Sequence, residues 1–482
     1  MRLKALGRDV LAYAGADLLF RSLQFVILPV YAHNLSVSDF GLLALLQTST
    51  VLLGMLLNLG VNNSVQRFYY DREIPVYSRA SVVSSGLSQL IVSLAAGVCV
   101  LFALAYSYRV DLKAHYDLPW VLISLGLLTI VPEQIAQYTL DAVRLQFKPL
   151  RFVVIAMIKN ALGVVLGVWF LLNYHMGVLG IVLGTLLAAL VAVPVGLVMI
   201  RANLTVHIDF AVAGRIFRFG FPYVLAGAAY WIFGSIDRWM LLEFSDLTQV
   251  GLFSVAFKFA SILTFVIAAF GQAWSPFAYK LSADVDDYRR FFSQILSSWF
   301  FLLVLLALGL SLFAREALML LTPREYWGAA PILAIGSCGV ALQGTTLVTG
   351  MGISLEKRTM LLSAAAWIAA ITNVLSNLVL IPLLGGVGAA ISTLASYAVL
   401  TGALLYWSQK LHPIPLEREK LAYCCLLLTA AVALTAVPIG QFSAGALALK
   451  LGISALAVAG AFWTGILSPG LYSEIRRRIP IS

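Results

Sequence analysis

The chain has 482 residues, of which 61% are hydrophobic and 11% are charged, and its formal net charge is +10. Soluble domains contain about 45–50% apolar and about 25% charged residues, so this composition excludes a soluble globular protein and indicates a polytopic membrane protein. The basic charge does not indicate a nucleic-acid partner, because most Lys and Arg residues fall in alternate loops, as membrane orientation requires.

Apolar stretches long enough to span a bilayer recur along the whole chain. About 20 residues are needed to cross ~30 Å of hydrocarbon, and we find roughly fourteen such stretches. Strands of a transmembrane barrel would be about ten residues long with alternating polarity, a pattern that the sequence lacks. We therefore predict an all-α polytopic membrane protein. Its helices are predicted to begin near Val10, Phe40, Ala80, Pro119, Phe152, Gly177, Phe221, Gln249, Ser293, Gly328, Thr359, Gly386, Leu421 and Ala444.

The loop charges also predict the orientation of these helices. Basic clusters occur before the first helix and then in every second connection, and a last cluster, Arg476 to Arg478, follows the final helix. The connections between them carry few Lys or Arg residues. By the positive-inside rule, both termini are predicted to be cytoplasmic, and the number of helices is predicted to be even.

Two internal matches predict a duplicated architecture. "LSVSDFGLLAL" matches "SDLTQVGLFSV" with Gly41 aligned to Gly251, and "GIVLGTLLA" matches "GAAISTLAS" with Thr185 aligned to Thr393. The two shifts are nearly the same, so we predict two six-helix lobes related by a parallel repeat. The predicted organisation is an N-lobe at 1–201 (helices 1–6), an amphipathic cytoplasmic linker at 202–220, a C-lobe at 221–410 (helices 7–12), and helices 13–14 with a basic cytoplasmic tail at 411–482.

Four basic residues lie inside predicted helices: Arg21, Lys159, Arg238 and Lys258. A charge at mid-helix in lipid costs roughly 2.5–3.5 kcal/mol, so each needs a partner or a watery cavity. Helix 1 carries Asp17, Arg21 and Gln24 on one face. An internal ion pair between Asp17 and Arg21 and a cavity-lining anion site both fit this pattern.

The seventh helix places an acid and a base side by side. Tyr230 and Asp237 share one face, whereas Arg238 points about 100° away and cannot pair well with its neighbour. Each charge is therefore expected to find a partner on another helix or in a substrate. Arg238 can clamp phosphate oxygens, although snorkelling to the outer interface also fits. Lys258, on helix 8, and Lys159, on helix 5, would extend a positive track, and snorkelling is the alternative for Lys159.

The fourth helix offers acidic counterparts to these basic groups. Glu133 follows Pro132, and Asp141 lies toward the predicted cytoplasmic end. Glu133 or Asp141 could bind a coupling proton or cation, and solvated polar residues at a helix end are the alternative. The four cysteines have no metal-binding spacing, so neither a metal site nor a cofactor is predicted, and coupling to H⁺ or Na⁺ stays open.

Three segments of the chain resemble the bacterial polysaccharide or O-antigen flippases of the multidrug/oligosaccharidyl-lipid/polysaccharide exporter superfamily. They are "IDRWMLLEFSDLTQVGLFSVAFKF", "RSLQFVILPVYAHNLSVSDFGLLALLQT" and "NVLSNLVLIPLLGGVGAAISTLASY". The resemblance covers about the first 410 residues. It implies two lobes facing each other across a cationic cavity, which move lipid-linked polysaccharide units, undecaprenyl-pyrophosphate-linked sugars, from the cytoplasmic to the outer leaflet by alternating access.

The resemblance also implies a setting and partners. We expect a bacterial plasma (inner) membrane protein of O-antigen or exopolysaccharide biosynthesis with an anionic polyprenyl-pyrophosphate glycolipid as substrate. Its other partners would be membrane lipids and polysaccharide polymerase or assembly proteins. Helices 13–14 resemble the lipid II flippase arrangement, where the extra pair makes a groove for the lipid tail. The alternatives are a cation-coupled multidrug extruder, which should have an acid-dominated cavity, and a membrane-embedded glycosyltransferase, polymerase or ligase.

Overall fold

The computed structural model describes residues 22–23, 25–70, 79–205, 209–284, 287–436 and 443–467. These ranges contain helices, turns and bends, and no strand, so the predicted all-α fold is confirmed. The helices are α1 Leu28–Asn34, α2 Val37–Asn58, α3 Val61–Tyr69, α4 Arg79–Ser107, α5 Arg109–Tyr116, α6 Trp120–Leu145, α7 Pro149–Ala156, α8 Gly163–Tyr174, α9 Gly177–Ile200, α10 Phe210–Phe244, α11 Leu247–Asp284, α12 Tyr288–Leu312, α13 Ala314–Leu321, α14 Ala330–Thr349, α15 Met351–Leu355, α16 Met360–Leu384, α17 Gly386–Leu411, α18 Arg418–Ala433 and α19 Ala444–Trp463.

Within the described ranges, 11 helical segments are long and apolar enough to cross a membrane. The chain is therefore a multi-pass membrane protein, as predicted. The other three predicted helices are not among these 11 segments. The first begins near Val10, outside the described residues. The seventh corresponds to the 35-residue α10, and the thirteenth corresponds to the 16-residue α18.

The predicted linker is partly helical. Residues 210–220 form the first part of α10, which continues through the predicted start of helix 7 at Phe221 without a break. Residues 206–208 lie outside the described part. The segment that follows α2 is also helical, because α3 spans Val61–Tyr69. The lobe and linker boundaries stay predictions.

Internal packing divides the chain into two compact units between Ser235 and Ile236, inside α10. In unit 1, apolar side chains of α3, α4, α6 and α7 form one buried cluster that includes Val65, Leu94 and Ile130. Tyr138 is buried in the same cluster, and its hydroxyl donates to the carbonyl of Val83 at 2.5 Å. In unit 2, α14 is the most buried helix and packs against α11, α12 and α17. Each unit therefore has its own core.

The helix bounds support the predicted duplication. One constant shift along the chain relates the start of α2 to that of α11, the start of α6 to that of α14, and the end of α1 to that of α10. The N-caps match too. The Ser36 hydroxyl accepts from the backbone N–H of Asp39 at 3.1 Å, and Asp246, which the same shift places opposite Ser36, accepts from the N–H of Gln249 at 2.8 Å.

Unit 1 departs from regular α-helical geometry at three places. Leu59 and Gly60 take left-handed conformations between α2 and α3, and a Cβ on Gly60 would lie 2.1 Å from the carbonyl oxygen of Gly220, so only glycine fits there. Pro132 lies inside α6 and removes one backbone donor. A π-helical segment at Met157–Leu162 joins α7 to α8. Such wide turns are rare and occur often at functional sites.

Candidate functional site

Asp237 lies in a cage of polar side chains within unit 2. Its side chain is on α10 and is 3% exposed. Asn373 and Asn377 of α16 donate their Nδ2 protons to its Oδ1 at 3.1 and 2.6 Å, and the Thr393 hydroxyl of α17 donates to its Oδ2 at 3.2 Å. Three helices are thereby joined at one carboxylate. The three donors satisfy both carboxylate oxygens of this buried acid.

The same cage offers oxygen atoms as well as donors. The Oδ1 of Asn377 is buried and accepts no hydrogen bond among the described residues. The Oδ1 of Asn373 accepts from Asn377, and the Thr393 hydroxyl oxygen has lone pairs free to accept. Carboxylate, amide and hydroxyl oxygens are hard ligands, suited to a proton or a small hard cation. Asp237 can therefore supply the negative charge, and the amide and hydroxyl oxygens can complete the coordination.

Arg238 is the next residue on α10 and makes different contacts, as its position on the helix predicted. Its Nε donates to the Ser254 hydroxyl of α11 at 3.3 Å, and its guanidinium carbon lies 5.6 Å from the centre of the Phe253 ring. Lys258 is four residues after Ser254, on the same face of α11. Unit 2 therefore places two of the four predicted basic residues, Arg238 and Lys258, along the same face of α11.

Lys159 of unit 1 lies in the π segment and faces α6. Its Nζ is 3.0 Å from Oε2 of Glu133 and donates to Oε1 of Gln137 at 3.2 Å. The Lys159 side chain is 11% exposed and that of Glu133 is 25% exposed. The snorkelling alternative for Lys159 does not describe this arrangement, because the ammonium is held by two side chains of a neighbouring helix.

Asp141 continues the same polar chain along α6. It accepts from Gln137, and the Nδ2 of Asn62 on α3 donates to its Oδ2 at 2.8 Å. Arg144 lies 3.8 Å from its Oδ1 and is half exposed. Asn62 contacts Asn58, which in turn donates to Oε1 of Gln134 at 3.2 Å. The predicted acids Glu133 and Asp141 therefore belong to one network that ties α6 to the π segment and to the α2–α3 break.

Four predicted site residues cannot be compared with the structure. Asp17, Arg21 and Gln24 lie outside the described residues. Tyr230 lies within α10, but its side chain is also outside the described part. Their proposed roles stay predictions.

The chain matches a known protein family over more than half of its length. Residues 6–282 match the model of the family described as "Polysaccharide biosynthesis protein". The chain belongs to this family. The resemblance drawn from the sequence is thereby confirmed. No curated protein sequence matches the chain.

Several solved transporter structures share the fold of this polysaccharide biosynthesis family member. The lipid II flippase MurJ in an inward closed conformation matches with a TM-score of 0.71 at 14% identity, covering 93% of this chain and 97% of that chain. An inward-facing multidrug resistance MATE family transporter of the MOP superfamily matches with a TM-score of 0.57 at 15% identity, over 81% of this chain and 94% of that chain. An outward-facing structure of such a transporter gives 0.52 at 14% identity, over 84% and 95%. Identities this low establish the fold alone.

Unit 2 of this family member also has an apolar cavity of about 630 Å³ that is open to the surface between α12 and α19. Leu305 lines one side, and Ser454, Ala455, Val458, Ala459 and Phe462 line the other. Lys450, one turn before Ser454, is buried and paired with Glu316 of α13. This ion pair fastens α19 to the end of α12 that carries α13.

The sequence did not identify several residues of the Asp237 cage and of the network around Lys159. Asn373 and Asn377 form hydrogen bonds between helices, and the sequence did not identify Asp237 as their partner. Thr393 was noticed only as part of the repeat. A usable signal existed for the two asparagines, because polar amides at i and i+4 on an apolar helix need a polar partner.

Proposed function

We propose that the protein translocates an undecaprenyl-pyrophosphate-linked oligosaccharide from the cytoplasmic to the outer leaflet of the bacterial inner membrane. The observation that carries the proposal is the contact of Arg238 with Ser254, one turn before Lys258 on α11, in a polysaccharide biosynthesis family member. A basic side chain in an apolar setting favours an anionic ligand, because the opposite charge offsets the loss of hydration. The pyrophosphate head supplies such an anion, with oxygens that a guanidinium can clamp.

Arg21 and Lys159 are the other two predicted basic residues. Each would contact the headgroup at another stage of an alternating-access cycle. Aromatic side chains such as Tyr230 and the polar groups Asp17 and Gln24 would line its path. An O-antigen or exopolysaccharide repeat unit is the proposed cargo, and polymerase or assembly proteins would take it up on the outer side.

Coupling to a proton or a cation fits the Asp237 cage. A carboxylate shared by Asn373, Asn377 and Thr393 changes its hydrogen-bond demands when it is neutralised, and this change acts on α10, α16 and α17 at once. Occupancy of the cage would thus bias the arrangement of three helices, which is what a coupling site requires.

The polyprenyl tail has a candidate surface of its own. The cavity between α12 and α19 is lined almost entirely by apolar side chains. A tail lying there would keep isoprenyl groups in an apolar setting while the headgroup crosses. The buried pair of Lys450 and Glu316 holds α19 in place for this role.

Translocation by the purified protein tests the proposal. Proteoliposomes with a lipid-linked oligosaccharide in the inner leaflet should expose it outside, intact, in a protein-dependent manner. Replacing Arg238 and Lys258 with Gln should reduce the rate by about tenfold or more, while the exposed control Arg324→Gln should keep it. An imposed proton or sodium gradient should accelerate the wild type but not Asp237→Asn. Wild-type rates in the Arg21→Ala/Arg238→Ala protein would contradict the cationic site.

The same assay separates the two alternatives. A chemically altered glycan would indicate a transferase, polymerase or ligase, whereas the flippase leaves its cargo intact. Protein-dependent export of cationic drugs with no movement of the lipid-linked sugar would indicate a multidrug extruder. The basic character of the Arg238 and Lys258 pair favours an anionic cargo over a cationic one.

A further inference from the structure

Unit 1 holds an ion pair near the middle of two helical segments that are long enough to span a bilayer. Glu133 lies about three turns before the end of α6, and Lys159 lies about three turns after the start of α7. At 1.5 Å per residue, both are roughly 15–18 Å from the connection between these helices, halfway across ~30 Å of hydrocarbon. An ammonium at this depth needs a counter-charge at every stage of a transport cycle.

The helices around this pair depart from regular α-helical geometry. The π turn carries no buried residue, and Pro132 precedes Glu133 directly. The counterpart span Met360–Leu384 in unit 2 is a regular α-helix, whereas the span Pro149–Tyr174 of unit 1 contains the π turn. A π turn changes the angular positions of the side chains on the helix. Lys159 lies within this turn, and its side chain contacts α6.

We propose that Glu133 is an intramolecular competitor of the substrate: its carboxylate occupies Lys159 until a phosphate oxygen of an anionic lipid headgroup takes its place. Glu133 thereby sets specificity for charged lipids. The inference rests on the proposed function and assigns Glu133 a positioning role in it. The exchange is chemically balanced, because carboxylate and phosphate oxygens both accept charge-assisted hydrogen bonds from an ammonium.

The contacts favour an exchange over a permanent structural bond. Glu133 is a quarter exposed, so its carboxylate can be solvated when it leaves, while Lys159 is nearly buried and keeps the hydrogen bond to Gln137. Lysine is a point charge on a flexible stem and can turn from one acceptor to another. A neutral headgroup cannot replace Glu133, since it would leave the carboxylate displaced and the ammonium without a counter-charge.

Equilibrium binding to the full-length protein in nanodiscs tests this. The probe is undecaprenyl pyrophosphate, with undecaprenol as the neutral control lipid. Glu133→Gln removes the competing charge and should bind the pyrophosphate lipid about tenfold more tightly, whereas Lys159→Met should bind it about tenfold more weakly. Asp111→Asn changes the net charge by the same amount on an exposed side chain and should leave the affinity unchanged. Undecaprenol binding should be the same in all four proteins.

A charge swap separates this role from a structural one. Glu133→Lys combined with Lys159→Glu keeps an ion pair between the two helices, so the melting temperature should stay near that of the wild type, but the probe should bind about as weakly as it binds to Lys159→Met, because the ammonium has moved to α6. If Glu133→Gln binds the probe no more tightly than the wild type, or if the swapped protein binds it as tightly as the wild type, the competitor role is wrong. Should Glu133→Gln fail to fold, Glu133→Asp, with a shorter reach, should show the same direction of change, and unchanged affinity there would equally overturn the proposal.

These outcomes are independent of the translocation assay. A wild-type protein that moves no lipid-linked sugar would refute the proposed function, and the binding series would still decide whether Glu133 competes with a pyrophosphate for Lys159. Conversely, active translocation with an unchanged affinity of Glu133→Gln would refute only the competitor role.

Discussion

The two units differ clearly at one set of equivalent positions, namely the Asp237 cage of unit 2 and the residues of unit 1 that correspond to it. The shift that relates α2 to α11 places Ile27 opposite Asp237, and Gly163 and Gly167 opposite Asn373 and Asn377. Unit 1 has thus no carboxylate and no amide at these positions. Its glycines let backbones approach instead: a Cβ on Gly184 of α9 would lie 2.3 Å from the backbone nitrogen of Gly167.

The comparison shows how a duplicated fold can assign different work to equivalent helices. Unit 1 joins its counterpart helices by close backbone contact, which is rigid and needs no charge. Unit 2 joins α10, α16 and α17 through one buried acid, which responds to a proton or a cation. In unit 1, the ionisable groups lie one helix pair away, between α6 and the π segment. Uncharged helix contacts and contacts between ionisable side chains therefore occur at different positions in the two units.

The largest difference should appear when Asp237 and its counterpart Ile27 are both replaced with Leu. Asp237→Leu leaves the amides of Asn373 and Asn377 and the Thr393 hydroxyl without their acceptor, so the free energy of unfolding should fall by about 3–5 kcal/mol. Ile27→Leu conserves volume and should cost less than about 1.5 kcal/mol. Thermal unfolding of the purified proteins in detergent gives both values. Equal losses at the two positions would mean that the cage carries no special stability.

Much of this difference between the units could be predicted from the sequence. The features that could not be predicted have a physical reason. The helices follow from the length of the apolar stretches, and the duplication follows from two matches with nearly one shift. The angular offset between Asp237 and Arg238 on one helix correctly predicted separate partners. Those partners of Asp237 lie 136, 140 and 156 residues away along the chain, and helical spacing says nothing about such distances.

The pairing of Lys159 with Glu133 was out of reach for a different reason. Spacing arguments assume the regular α-helical turn, and the π segment violates that assumption at the residue in question. No pattern of apolar residues marks Met157–Leu162 as a wide turn. The structure was needed to show which way Lys159 points.

Gly184 and Ser392, which directly precede the two repeated threonines, sharpen the comparison at the contact between paired helices. Gly184→Ala places a methyl group against the backbone of Gly167 and should lower the free energy of unfolding by about 1–3 kcal/mol. Ser392→Ala removes a buried hydroxyl that has no partner among the described residues, and it should be neutral or slightly stabilising. Denaturation in detergent measures both. A tolerated Gly184→Ala would show that α8 and α9 can separate, and the idea of a rigid unit 1 contact would have to be abandoned.

The smallest expected difference concerns the two repeated threonines, and it isolates a single hydrogen bond. Thr185 and Thr393 each donate to a carbonyl one turn earlier on their own helix, Ile181 and Ala389, at 3.0 Å. The Thr393 hydroxyl is also 3.2 Å from Oδ2 of Asp237, so its single proton is shared between the carbonyl and the carboxylate. Because valine has nearly the same shape as threonine, Thr185→Val should change the free energy of unfolding by less than about 0.5 kcal/mol, whereas Thr393→Val should cost about 1 kcal/mol. Within an Asp237→Asn background, the cost of Thr393→Val should shrink, since the hydrogen bond then goes to a neutral acceptor. If Thr393→Val costs as little as Thr185→Val in both backgrounds, the hydroxyl contributes nothing to the cage, and the asymmetry between the units would depend on the asparagines alone.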